Sequence, residues 1–294
     1  MRKLYKTVKR KERRKRGLHG WLSLIFIVLL ASFCYSSYML TDGLIAEKNE
    51  RDAFRELSEI IAKNTPLSGS EIAKNIIPDG GSDVADSASN PDDESSESSN
   101  EKAPLRQYLP LYEMNPDFFG WFSIAGTDMD FPVMYSPDRP EYYLDHAFDG
   151  SRSSSGVPFV DGKCAPDGNY YLIYGHHMRN KTMFGQLPLY ADLDYYNEHP
   201  IIRFDTIYEQ REYQVVAVFY SRVYDKSETG VFRYYDYYDL SEKEVFDEYM
   251  KEVRASQIYE TGIDVLFGDE LLVLSTCNYH TENGRFVVVS RKKQ

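Results

Sequence analysis

Five stretches of the chain gather apolar, aromatic and β-branched residues between turn formers, and each predicts a strand. They are residues 131–135, 170–174, 213–220, 271–274 and 286–289. One helix is predicted from Ser241, where Ser241-x-x-Glu244 forms a capping box. Val245, Tyr249 and Val253 follow at helical spacing as its apolar stripe. Many strands with few helices point to a β-barrel or a sandwich.

The first hundred residues follow other patterns. Residues 17–41 contain no Asp, Glu, Lys or Arg, and their centre is Trp21-Leu22-Ser23-Leu24-Ile25-Phe26-Ile27-Val28-Leu29-Leu30. A helix needs about 20 such residues to cross a hydrocarbon core. Residues 1–17 hold ten Lys/Arg and one Glu, which places the N-terminus in the cytoplasm and everything after residue 41 outside. The expectation is a single-pass cell-membrane protein with its anchor at 18–41. A cleaved signal peptide competes with this reading, but the apolar stretch is long for one and no small-x-small site follows it. A lipoprotein at Cys34 would need a small residue where Phe33 stands. Residues 42–64 predict an amphipathic helix, with Phe54, Leu57, Ile60 and Ile61 on one face. Residues 65–104 lack any aromatic residue and are rich in Ser, Asp, Glu, Gly and Pro. Such a segment buries too little apolar surface to offset its ordering entropy, so it reads as a disordered linker. The folded domain is then 105–294.

Composition narrows the chemistry. The net charge is -12, and 105–294 alone has 18 basic and 30 acidic residues, which argues against nucleic acid as a partner. Cys34, Cys164 and Cys277 are far apart and form no CxxC pair, so neither a disulfide framework nor a zinc ribbon is expected. The acidic group Asp236, Asp239, Glu242 and Glu244 lacks the calcium-loop pattern and reads as a solvated helix start. No metal and no cofactor are implied.

Three residues stand at the ends of predicted strands. Cys277 closes the run Leu271-Leu272-Val273-Leu274-Ser275-Thr276. A cysteine there is either a small buried hydrophobe or a nucleophile, and a nucleophile needs a base or cation beside it. His176 follows Tyr174-Gly175 at the end of another run, as a surface histidine or a proton carrier. Arg285 opens the strand after Cys277; it is an ordinary surface arginine or a fixed cation for a developing oxyanion. Spacing alone does not show that the three converge.

Their surroundings carry a resemblance. Tyr174-Gly175-His176, Thr182-Met183-Phe184-Gly185, Leu274-Ser275-Thr276-Cys277 and Gly284-Arg285-Phe286-Val287-Val288 resemble the signature of sortases of class B. Asn115-Pro116-Asp117, Gly120-Trp121, Gly126-Thr127, Tyr142-Tyr143-Leu144 and Tyr259-x-Thr261-Gly262 fall in the order of that class. The resemblance implies a mainly β fold: an eight-stranded barrel with N-terminal helices near residues 105–114. One further helix is implied in the connection before the Cys277 strand. It also implies an extracellular, membrane-tethered cysteine transpeptidase of Gram-positive bacteria, without a cofactor.

In that reading Cys277 attacks the Thr carbonyl of a C-terminal Asn-Pro-x-Thr sorting motif, and His176 moves the proton of the leaving and entering amines. Arg285 steadies the substrate oxygen. Ser275 and Thr276 line the substrate groove, and Leu144 lends a backbone donor. The partners implied are surface proteins bearing the sorting signal and an amine of peptidoglycan precursor; a pilin lysine is the alternative acceptor. A non-catalytic adhesion module on a membrane tether is the remaining alternative. His177 and His280 are expected to be loop residues and Cys164 incidental. Pro140 stands where the class often carries Asn, four residues before Leu144.

Overall fold

The computed structural model describes residues 2–66 and 103–294; side chains of the first helix are described at residues 21, 25–39, 41, 45 and from 48 onward. The chain divides into two compact units, Met1–Glu56 and Leu57–Gln294. Helix α1 runs unbroken over Arg2–Asn64, so the expected boundary near residue 42 leaves no mark on the backbone. Among its described side chains Phe26, Ile27, Leu29 and Phe33 are 62–69% exposed, whereas Leu57 is buried. The expected span at 18–41 includes side chains outside the described residues. Among those described, no helix is long and apolar enough to cross a membrane. The expected linker lies outside the described residues over 67–102.

The second unit contains a closed barrel of eight strands. In chain order they are β1 Phe118–Ser123, β2 Asp130–Met134, β3 Phe159–Val160 and β4 Tyr170–Tyr174. Then come β5 Ile201–Thr206, β6 Glu212–Arg222, β7 Leu271–Cys277 and β8 Gly284–Lys292. Around the barrel the order is β1-β2-β3-β4-β7-β8-β6-β5. The β2–β3 and β4–β7 pairs are parallel, and the rest are antiparallel. Helix α2 (Leu109–Met114) precedes the barrel, α3 (Leu193–Glu198) lies between β4 and β5, and α4 (Lys243–Ser256) between β6 and β7. The implied barrel and the helix before the Cys277 strand are present, and the implied N-terminal helices are one 3-10 turn at Arg106–Tyr108 running into α2.

All five strands expected from the pattern form, with ends shifted by a few residues. Strands β4 and β7 read as unbroken apolar runs because both of their faces are covered. The barrel interior covers one, and on the other Tyr170 meets Tyr249 of α4 edge-to-face, ring centres 5.6 Å apart. The capping-box expectation fails. Ser241 donates its N–H to the Asp239 carboxylate at 2.9 Å, and α4 begins at Lys243 without a side-chain cap. With the later start the buried stripe becomes Phe246, Tyr249, Met250 and Val253, and Val245 faces solvent.

Candidate active site

Register places the three candidate residues together. In the parallel β4–β7 ladder Tyr170 pairs with Leu271 and Tyr174 with Ser275. His176 and Cys277 each lie two residues beyond that last pair, so both reach the same rim of the barrel. On the other side of β7, Cys277 pairs directly with Arg285 of β8. The turn between them is closed by Asn278 N–H donating to the Gly284 carbonyl at 2.9 Å and Gly284 N–H to that of Thr281 at 3.1 Å. Only glycine fits at 284, because a Cβ there would lie 2.3 Å from the Asn278 carbonyl oxygen.

His176, Cys277 and Arg285 line one cleft of about 430 Å³. Cys277 is exposed, a position open to a substrate. Leu144, Ser275 and Thr276 line the same cleft, as do Pro140, Asp161, Lys163 and the tyrosines Tyr234 and Tyr235. Two tyrosines of the run Tyr234-Tyr235-Asp236-Tyr237-Tyr238 thus wall the groove. His280 is elsewhere: its ring packs on Tyr220, centres 4.9 Å apart, and bonds the Asn278 side chain.

Hydrogen bonds specify what each group is free to do. His176 Nε2 lies 2.8 Å from the Leu144 carbonyl oxygen. A carbonyl only accepts, so Nε2 carries the hydrogen and Nδ1 is the basic atom of the neutral ring. Leu144 therefore serves through its carbonyl. Its N–H, the expected donor, is engaged by the Glu141 carbonyl at 2.9 Å. Thr276 Oγ1 donates to the Gly175 carbonyl at 2.7 Å, tying β7 to the segment that bears His176. Ser275 Oγ is 2.7 Å from Tyr234 Oη, both buried beneath the cleft. Burial pushes the Tyr234 phenol well up, so it stays neutral. Arg285 donates through one NH₂ nitrogen to the carbonyls of Gly284 at 3.0 Å and Asn283 at 3.3 Å, which holds its stem while leaving other donors of the fork uncommitted.

The sortase domain family matches residues 123–293, which contain the whole cleft and every strand from β2 to β8. The chain belongs to the sortase family. Within it, this sortase is of class B. Sortase B of Listeria monocytogenes is 29% identical over 182 residues, covering 60% of this chain and 70% of that protein. Sortase B of Staphylococcus aureus is 26% identical over 189 residues, covering 63% and 74%. A mutant form of Clostridium perfringens sortase B superposes with a TM-score of 0.57 at 28% identity, covering 64% of this chain and 87% of that one. A Staphylococcus aureus sortase B–substrate complex shares the fold with a TM-score of 0.64 at 21% identity, covering 85% and 99%. This sortase is accordingly a cysteine transpeptidase of the cell-wall sorting type, acting at the cell envelope.

One residue of the sortase's cleft frame, Gly156, carries no signal in the local sequence pattern. Gly156 has φ +58°, and a Cβ there would lie 2.5 Å from the Leu144 carbonyl oxygen and 2.3 Å from that of Tyr143. The first of these is the oxygen that holds His176. Gly156→Ala therefore shifts the Leu144 carbonyl or breaks its bond to His176, besides about 1 kcal/mol for the left-handed backbone. The expected result is a lowered thermal midpoint together with a fall in turnover of about tenfold or more. Full turnover with only the midpoint lowered would separate Leu144 from His176.

Proposed function

We propose that this chain is a membrane-anchored sortase whose Cys277 cleaves a C-terminal Asn-Pro-x-Thr-type sorting motif and passes the acyl group to an amine of peptidoglycan precursor. The observation that carries the reading is the register of β4, β7 and β8, which sets Cys277 between His176 and Arg285 on one cleft. The relative solved with substrate is a sortase B, and sorting signals are the substrate class proposed here.

The Cys277 thiol passes its proton to His176 Nδ1 as its sulfur attacks the Thr carbonyl carbon, and the C=O π pair moves to the oxygen. Arg285 stabilises that oxyanion. Collapse of the intermediate breaks the peptide bond, and His176 gives a proton to the departing amine. Its Nε2–H is held by Leu144, so the exchanged proton is the one on Nδ1. The thioester then meets an incoming amine. His176 takes up the proton that this amine loses, Cys277 leaves as thiolate, and a new amide bond remains. Ser275, Thr276 and Leu144 act as the frame of the groove in this mechanism.

The N-terminal segments complete the proposal: a cytoplasmic tail at 1–17, an anchor at 18–41, a helix at 42–64, a spacer at 65–104 and an extracellular catalytic domain at 105–294. The basic run before an uncharged apolar stretch supports the anchor and its orientation. Incubating the full-length chain with a library of Asn-Pro-x-Thr-type peptides and an amine tests the whole reading. Amine-dependent transfer products at the Thr carbonyl are expected. Neither cleavage nor transfer anywhere in the library would overturn the substrate assignment.

A further inference from the structure

Beyond Ser275 the strands that carry the two reacting side chains part company, and a side chain takes the place of a main-chain bond. The β4–β7 ladder ends with Gly175 N–H donating to the Ser275 carbonyl at 3.2 Å. In a parallel ladder the next donor along is two residues further, His177 N–H to the Cys277 carbonyl. Instead the His177 imidazole makes that bond: Nδ1 lies 2.8 Å from the Cys277 carbonyl oxygen. The carbonyl only accepts, so Nδ1 of His177 carries the hydrogen. The ring also lies against Tyr279, centres 5.5 Å apart.

The segment bearing His177 is fixed rather than loose. His177 forms an isolated bridge with Met183, and Phe184 N–H donates to the His176 carbonyl at 3.0 Å. Lys181 and Met183 are held at φ +66° and +50°, backbone strain that persists only where the surroundings over-determine it. Gly175 and Gly185 permit the close packing, since a Cβ at either would lie 2.6 Å from the Phe184 ring or 2.5 Å from the Met178 carbonyl oxygen. His177 is thus a rigidly mounted donor aimed at the last peptide of β7, and it does not line the substrate cleft.

We propose that His177 is a positioning residue for the nucleophile: its Nδ1–H replaces the missing ladder bond and fixes the Cys277–Asn278 peptide, and through it the direction of the Cys277 side chain. The strands then open for a substrate without loosening the sulfur. This rests on Cys277 being the nucleophile. Asparagine separates the roles of His177, because its side-chain NH₂ is attached at the same branch point as the histidine Nδ1. Phenylalanine keeps a ring against Tyr279 and has no donor.

Steady-state kinetics of the full-length chain with the peptide it cleaves fastest give the test. H177F and H177A should lower kcat about tenfold with KM within about twofold, and H177N should restore most of the loss. Wild-type kcat in H177F, or a loss in H177N equal to that in H177F, overturns the proposal. Imidazole nitrogen NMR of the unmodified chain provides a check that needs no variant: neutral His177 should hold its proton on Nδ1, and an Nε2–H form overturns the assignment. Activity persisting in C277A would instead remove the nucleophile reading, and it is scored separately from the His177 series.

Discussion

Exchanging Cys277 for alanine should leave a folded chain whose transpeptidation is lower by at least about 10⁴-fold, as when a covalent nucleophile is removed from other acyl-transfer enzymes. The fold should tolerate the change because Cys277 is exposed at the end of β7 and contributes nothing to the core; its unfolding free energy should stay within about 0.5 kcal/mol of wild type. No other cysteine of the barrel can substitute. Cys164 is buried, and burial, the largest effect, pushes its thiol up to about 12. It therefore stays a neutral thiol at every pH at which the protein works. Peptide mapping after iodoacetamide treatment of the native chain should find Cys277 alkylated and Cys164 intact until the chain is unfolded. Mass spectrometry of wild type with substrate and no amine should show an acyl adduct that C277A lacks. Undiminished cleavage by C277A would remove Cys277 from the chemistry.

The convergence on Cys277 was half legible in the sequence. Tyr170 to His176 and Leu271 to Cys277 are runs of equal length, each beginning with an apolar stretch and ending on the candidate side chain. That the runs are parallel neighbours in matched register is a property of the closed sheet, and no local pattern carries it. His177 shows the same limit more sharply. Read alone it is a polar residue beside a better candidate, and its partner is a carbonyl 100 positions away. Gly156 is equally mute, since its importance lies in two main-chain oxygens that happen to approach it.

Strands escaped the pattern for equally specific reasons. β3 has only two residues, too few for any period. β1 is interrupted by Gly120, which reads as a breaker yet is required because a Cβ would lie 2.0 Å from the Asp205 carbonyl oxygen of β5. In β5 itself Asp205 is buried, against its type. The Tyr108 hydroxyl donates to its carboxylate at 2.6 Å and Arg203 reaches it at 2.9 Å, so a charge that argues against a strand is satisfied inside one.

Arg285 is the second position at which a single change should nearly silence the enzyme. It faces Cys277 across β7 and β8, and the Asn283 and Gly284 carbonyls hold its guanidinium from one side. A cation mounted in this way need not reorganise when charge develops on the substrate oxygen, which is where electrostatic catalysis gains most. Arg285→Ala should lower kcat by about 10²- to 10³-fold. Arg285→Lys should recover little of it, because an ammonium cannot bond the turn carbonyls and the substrate oxygen with one planar fork. Two further readouts keep this loss distinct from loss of the nucleophile. Cys277 of both variants should still be alkylated by iodoacetamide at alkaline pH, and KM should change far less than kcat, since the interaction strengthens only as the oxyanion forms. A lysine variant with near wild-type kcat would mean that charge alone suffices. An alanine variant that loses binding but keeps kcat would make Arg285 a ground-state contact for the sorting signal.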